Sequence, residues 1–157
     1  MKQRRAGAVF PQQKGLRAMT EYEIQANEFL KKAETKMSIS RTGEVQGFPF
    51  DEHDKLWHYK YQVTLTRHKK QYRFTFYDSF YNWQNNKRPS RYDVLACVEK
   101  YEVPYYVEEF AREYGYDIDE PADYKRVKRI HEACLKQYER LLDLFGEELM
   151  RDLQEIN

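Results

Sequence analysis

The chain has 157 residues, with 27 Lys+Arg against 26 Asp+Glu and a formal net charge of +1. Charged residues make up 34% and hydrophobic ones 41%, which is globular composition rather than disorder, at a length suited to one domain with its own core. Two cysteines are too few for a disulfide framework, no apolar run approaches the roughly 18 residues of a membrane span, and no apolar signal core opens the chain. The expectation is a soluble protein of a reducing, cytoplasmic compartment with no membrane partner.

The charge is unevenly placed. Residues 1–98 carry 18 Lys+Arg and 10 Asp+Glu, whereas residues 99–157 carry 9 and 16. Such a dipole steers encounters with charged partners. Aromatic content is 16%, including 14 Tyr. Tyrosine joins a large apolar ring to a polar tip, so these residues suit either the rim of a small core or a contact surface.

In chain order, residues 1–18 have five basic groups, no acid and no periodicity, and read as a flexible basic tail. A single domain is expected over 19–157, with Met19 as a candidate start. Thr20 and Glu23 form a capping box that opens a helix over 21–33, with Tyr22, Ala26, Phe29, Leu30 and Ala33 on one stripe. A strand is expected over 35–41 and a Gly/Pro loop over 42–54. Trp57, Tyr59, Tyr61, Val63 and Leu65 then alternate with His58, Lys60, Gln62 and Thr64. After Arg67-His68-Lys69-Lys70 the alternation resumes, with Tyr72, Phe74 and Phe76 set against Arg73 and Thr75. Two period-two runs joined by a polar turn make a hairpin with an aromatic face and a polar, basic face.

Residues 78–89 read as a polar connection. Ser90 caps a helix over 91–101, and Val103-Pro104 ends it. A short helix over 105–114 stops at Gly115. Residues 116–121 form an acidic turn, a long helix spans 122–145, and Gly146 breaks it before a last helix. The fold class is α+β: an N-terminal helix and a small antiparallel β-sheet of about three strands, packed against a helical C-terminal half.

The usual constellations of chemistry are missing. His53, His58, His68 and His131 are spread over different elements, and the group His53, Asp54 and His58 matches no metal-ligand spacing. His131 lies on the apolar stripe of the long helix and reads as a core histidine. Cys97 and Cys134 read as small buried hydrophobes without a cation to favour a thiolate. No glycine pattern suits a phosphate cradle, so no cofactor is expected. The run Asp117-Ile118-Asp119-Glu120 lacks the later Gly and Glu of a calcium loop. No catalytic or metal-ligating residue is assigned.

Two charged features remain. Arg67, Lys69, Lys70 and Arg73 on the hairpin, with Lys125, Arg126, Lys128 and Arg129 on the long helix, are candidates for phosphate contact. The helix cluster opposes the dipole of its own helix. Glu108, Glu109, Asp117, Asp119 and Glu120 form a candidate acidic protein-binding patch.

The order TEYEIQANEFL, WHYKYQVTLTRHKKQYRFTFYDS, PSRYDVLACVEKYEV, FAREYGYD and EELMRDLQEI resembles a family of small bacteriophage- and prophage-encoded proteins. The likeness covers roughly residues 20–157, and its most specific part is YDVLACVEKY followed by EYGYD. The basic tail has no counterpart there, and the family offers no catalytic residues to carry over. The resemblance implies a non-enzymatic protein acting in a bacterial host cell on a host protein or ribonucleoprotein complex. Inhibition of a defence system is the expected role, for instance an anti-CRISPR protein whose acidic surface occupies the nucleic-acid channel of a Cas effector. A nucleic-acid-binding accessory protein using the basic residues is the alternative.

Overall fold

In the computed structural model, which describes residues 19–157, the first element is helix α1, Glu21–Lys32. The tail expected over 1–18 lies outside the described residues. Thr20 Oγ1 accepts from the Glu23 amide at 3.2 Å and Glu23 returns the bond to the Thr20 amide at 3.0 Å, so two of the open donors of the first turn are satisfied. Ala26, Phe29 and Leu30 form its buried stripe.

Three strands follow as an antiparallel meander in the order β1-β2-β3: β1 Thr35–Gln46, β2 Trp57–Arg67 and β3 Lys70–Tyr77. β1 runs past the expected 35–41. Its second half, Gly43–Gln46 by register, has weak strand propensity and is held by pairing with 57–60 across a bulge between Arg41 and Gly43. β2 meets β3 only from Lys60↔Tyr77 onward, so the ribbon pairs Glu44↔Tyr59, Val45↔His58 and Gln46↔Trp57 project beyond the third strand.

The remaining elements are helical: α2 Phe80–Gln84, α3 Arg91–Cys97, α4 Val107–Tyr114 and α5 Pro121–Gln154. α2, expected as plain connection, is capped by Ser79, whose Oγ accepts from the Asn82 amide at 3.1 Å. α3 ends at Cys97, earlier than expected, because Val98 turns extended and the Lys100 ammonium folds back onto the open carbonyls of Leu95 and Ala96. Within α5, Gly146 adopts φ 81°, ψ 168°, a conformation reserved for glycine. The helix therefore breaks there and changes direction.

Two cores result. The larger joins α1, the inner sheet face (Met37, Tyr61, Val63, Leu65, Phe76), α3 and the later part of α5. Phe29 meets Phe145 edge to face at 5.3 Å, a geometry worth about 1 kcal/mol beyond area burial. The smaller joins α4 to the early part of α5 through Val103, Phe110, Ala111, Val127 and Ile130. Only part of the helical half, then, packs on the sheet. No helix among the described residues is long and apolar enough to cross a membrane.

Candidate interaction surfaces

Glu108 and Glu109 occupy the first turn of α4, where carboxylates complement the helix dipole. Asp117, Asp119 and Glu120 lie in the bend between α4 and α5; all five side chains are exposed. Since α4 has eight residues, the two groups are separated by about 12 Å of helix. They form two acidic ends of one element rather than one cluster. None of the five belongs to an ion pair among the described residues. Sequence reading overlooked the residues just before them. Tyr105 and Tyr106 are 72% and 66% exposed, and their rings meet edge to face at 5.2 Å. The Tyr-Tyr-x-Glu-Glu string, placed after a proline, was the available signal.

The basic candidates divide into two groups. Arg67 donates from Nε to the Ala33 carbonyl at 2.9 Å and from Nη1 to the Leu144 carbonyl at 3.2 Å, so it closes the ends of two helical segments. Lys70 donates to the Asp143 carbonyl at 3.1 Å. Arg126 faces Glu52 at 3.6 Å and lies 5.9 Å from the Tyr116 ring centroid. These three hold the fold. Lys69, Arg73, Lys125, Lys128 and Arg129 are exposed and outside any ion pair among the described residues. Lys125, Lys128 and Arg129 share one face of α5 at helical spacing.

His58, on the polar face of the hairpin, is not a surface residue. It is buried, because the 47–56 loop folds over it and Phe48 stacks on its ring at 3.9 Å. Its Nδ1 faces the Asp78 carbonyl at 2.8 Å and its Nε2 the Asp54 carboxylate at 2.6 Å. Both ring nitrogens therefore face acceptor oxygens. Asp54 also accepts from the Phe48 and Leu56 amides at 2.9 and 3.0 Å. The Leu56 amide first, then the other donors, holds its carboxyl below the usual carboxylate range despite opposing burial. The loop needs Gly47 as well: φ is +82°, and a Cβ would lie 2.4 Å from the Asp54 carbonyl oxygen. His53 stays at the surface near Glu52. Among the described residues no three His, Cys, Asp or Glu side chains gather as metal ligands would.

The groups capable of chemistry elsewhere are engaged. Burial pushes the Cys134 thiol up to about 12, with the Glu99 carboxylate adding to it, so it is protonated near neutral pH. Cys97 is exposed rather than buried, because α3 ends there. The buried Lys100 ammonium donates to the carbonyls of Leu95 at 3.0 Å, Ala96 at 3.2 Å and Ile156, which uses all three of its protons. His131 is buried as expected, with Nε2 at 2.7 Å from the Pro104 carbonyl.

At the projecting ribbon the inner face continues beyond the core. Trp57 stacks near Trp83 at 6.0 Å, and Tyr59 leans on the same indole at 6.4 Å. Trp83 Nε1 donates to Glu44 at 2.8 Å. The Arg41 guanidinium sits 3.6 Å above the Tyr59 ring and donates to the Tyr61 hydroxyl at 2.9 Å. Comparison with known proteins found no matching family model, no matching curated protein and no matching solved structure.

Proposed function

We propose that this chain is a non-enzymatic binding protein that docks the α4 face onto a basic surface of a host protein or ribonucleoprotein complex. Inhibition of a defence effector of the CRISPR-Cas type is the role that the phage-protein resemblance supports. The observation that carries the docking reading is the Tyr105–Tyr106 pair, 72% and 66% exposed and followed, after Val107, by Glu108 and Glu109. Two adjacent tyrosines left in water give up apolar burial that the fold could have used. At an interface the same rings supply large contact area at low entropic cost, which is why tyrosine is enriched at binding hot spots. Unpaired carboxylates at both ends of the helix add the charge pattern of a phosphate backbone, complementary to a nucleic-acid channel.

The test is affinity capture from host lysate, with Tyr105→Ala/Tyr106→Ala and Glu108→Lys/Glu109→Lys as comparators, coupled to plaque counts on defended and undefended cells. The reading expects one complex captured by the wild type and lost with either variant, while the melting temperature stays within the scatter of surface substitutions. Equal plaque counts on both hosts, together with capture insensitive to both variants, refute it.

A nucleic-acid-binding accessory role is the second reading. It is favoured by the free cations Lys69, Arg73, Lys125, Lys128 and Arg129. It requires a retarded band at low salt that disappears steeply as salt rises.

A further inference from the structure

The projecting end of the β1-β2 ribbon leaves apolar rings in water. Trp57 is 39% and Tyr81 61% exposed, because the main core stops at Tyr61 and only the short α2 covers what lies beyond. The rings are ordered with respect to one another. Trp57 and Trp83 differ in plane by 17° at 6.0 Å, and Phe80 and Trp83 by 21° at 5.8 Å. Isolated exposed rings are ordinary on a protein surface, whereas grouped ones mark contact sites; Trp57, Trp83 and Phe80 form the stacked group, and Tyr81 follows Phe80 on α2.

Three cations stand around these rings. Arg41 covers Tyr59 at 3.6 Å, Lys87 stands 5.5 Å from the Tyr81 centroid, and Arg88 lies 5.6 Å from the Tyr61 centroid. All three cations are exposed. Two of the nearby acids accept hydrogen bonds. Glu44 accepts from Trp83 Nε1, and Asp78 is buried, accepting from the Ser79 amide and the Asn82 side-chain amide. Burial raises the Asp78 carboxyl above the usual range.

We propose that this platform binds single-stranded nucleic acid, with bases stacked on Trp57, Trp83 and Tyr81 and phosphates held by Arg41, Lys87 and Arg88. Stacking rings interleaved with cations are the recognition chemistry of an unpaired strand, since every base offers a π-face and every linkage a charge. A duplex hides its base faces from stacking rings, whereas an unpaired strand offers them. Arg41 already donates to the Tyr61 hydroxyl and Arg88 to the Ile39 carbonyl at 2.9 Å, but an apolar peptide would bring no anion to the charge that all three cations present. The site shares no residue with the α4 face, so it stands or falls independently of that reading. A ribonucleoprotein partner would engage both.

The chain supplies its own probe, because its two tryptophans are Trp57 and Trp83, both in the platform. Titration with oligothymidylate or oligouridylate of roughly 12 nucleotides is expected to quench tryptophan emission to saturation. With three phosphate contacts, the logarithm of affinity should fall against the logarithm of salt with a slope of about −2. Tyr81→Ala and Lys87→Glu change exposed side chains. Each is expected to weaken binding of a labelled oligomer roughly tenfold at an unchanged melting temperature. The proposal is overturned by a flat titration, or by a duplex of equal length that quenches as strongly. It is equally overturned if Tyr81→Ala and Lys87→Glu bind like the wild type while Lys125→Glu/Lys128→Glu abolishes binding, which would locate the contact on α5.

Discussion

Replacing Lys100 by Met removes one buried ammonium and keeps most of the side-chain length. Two effects oppose each other. The carbonyls of Leu95, Ala96 and Ile156 lose their shared donor, and a buried acceptor left without a partner costs about 1–3 kcal/mol. Against this, the variant no longer buries a charge, a penalty of several kcal/mol in its own right. Burial indeed holds the ammonium below the usual lysine range. The carbonyls outnumber the single charge, and water reaches those at the end of α3 only if the chain end lifts away. The balance is therefore a net loss of about 2 kcal/mol, or roughly 4–8 °C in melting temperature for a domain of this size. The assay is denaturant unfolding of wild type and Lys100→Met across pH. A lysine whose folded pKa is lowered costs stability while both states are protonated. That cost disappears as pH rises through the folded value toward the ordinary 10.5, so the wild-type advantage should widen there. A Met variant as stable as the wild type at pH 7, with no widening, refutes the reasoning.

Three further outcomes follow from the structure. Gly47→Ala forces a Cβ to 2.4 Å from a carbonyl oxygen at positive φ and should cost about 2–3 kcal/mol, measured by denaturant midpoint; a loss below about 0.5 kcal/mol contradicts the described loop. Asp54→Ala removes the acceptor of Phe48, Leu56 and His58. Because the Asp54 carboxyl is held low, its stabilisation is present above about 3.8 and lost as pH falls below it. The variant should thus be less stable at neutral pH and show a shallower acid transition by circular dichroism; an identical acid limb refutes the role. Glu99 is the opposite case: burial raises its carboxyl, so ionisation costs stability above the ordinary 4.5. Glu99→Gln should raise the melting temperature at pH 7 and leave it unchanged near pH 4; equal curves at both refute it.

What could be read from the sequence was local. The Thr20–Glu23 box, the alternation of Tyr61, Val63 and Leu65, the turn at Arg67–Lys70 and the break at Gly146 each put the signal within a few residues of the structure it specifies. What escaped was set by distant partners. Gly43–Gln46 become strand because 57–60 lie alongside. His58 keeps the polar-face parity of the hairpin, yet is buried by a loop that Asp54 organises. Arg67 and Lys70 looked like phosphate binders until the carbonyls of Leu144 and Asp143, 77 and 73 residues away, proved to be their partners. The five acidic side chains are exposed, but their division between two ends of α4 and the tyrosines ahead of them depended on where that helix begins.

The division of the interior into two apolar clusters has a dynamic consequence. α4 is held by a small group of side chains that meets the main core through Tyr138 and the rod of α5. Such a unit can open by itself while the sheet stays intact, so its amides should exchange with solvent before those of β2. The tyrosine face would then be carried on a part of the molecule that opens before the sheet does. A partner that clamps it would slow exchange throughout α4 and into the first turns of α5, far from any contact with the sheet.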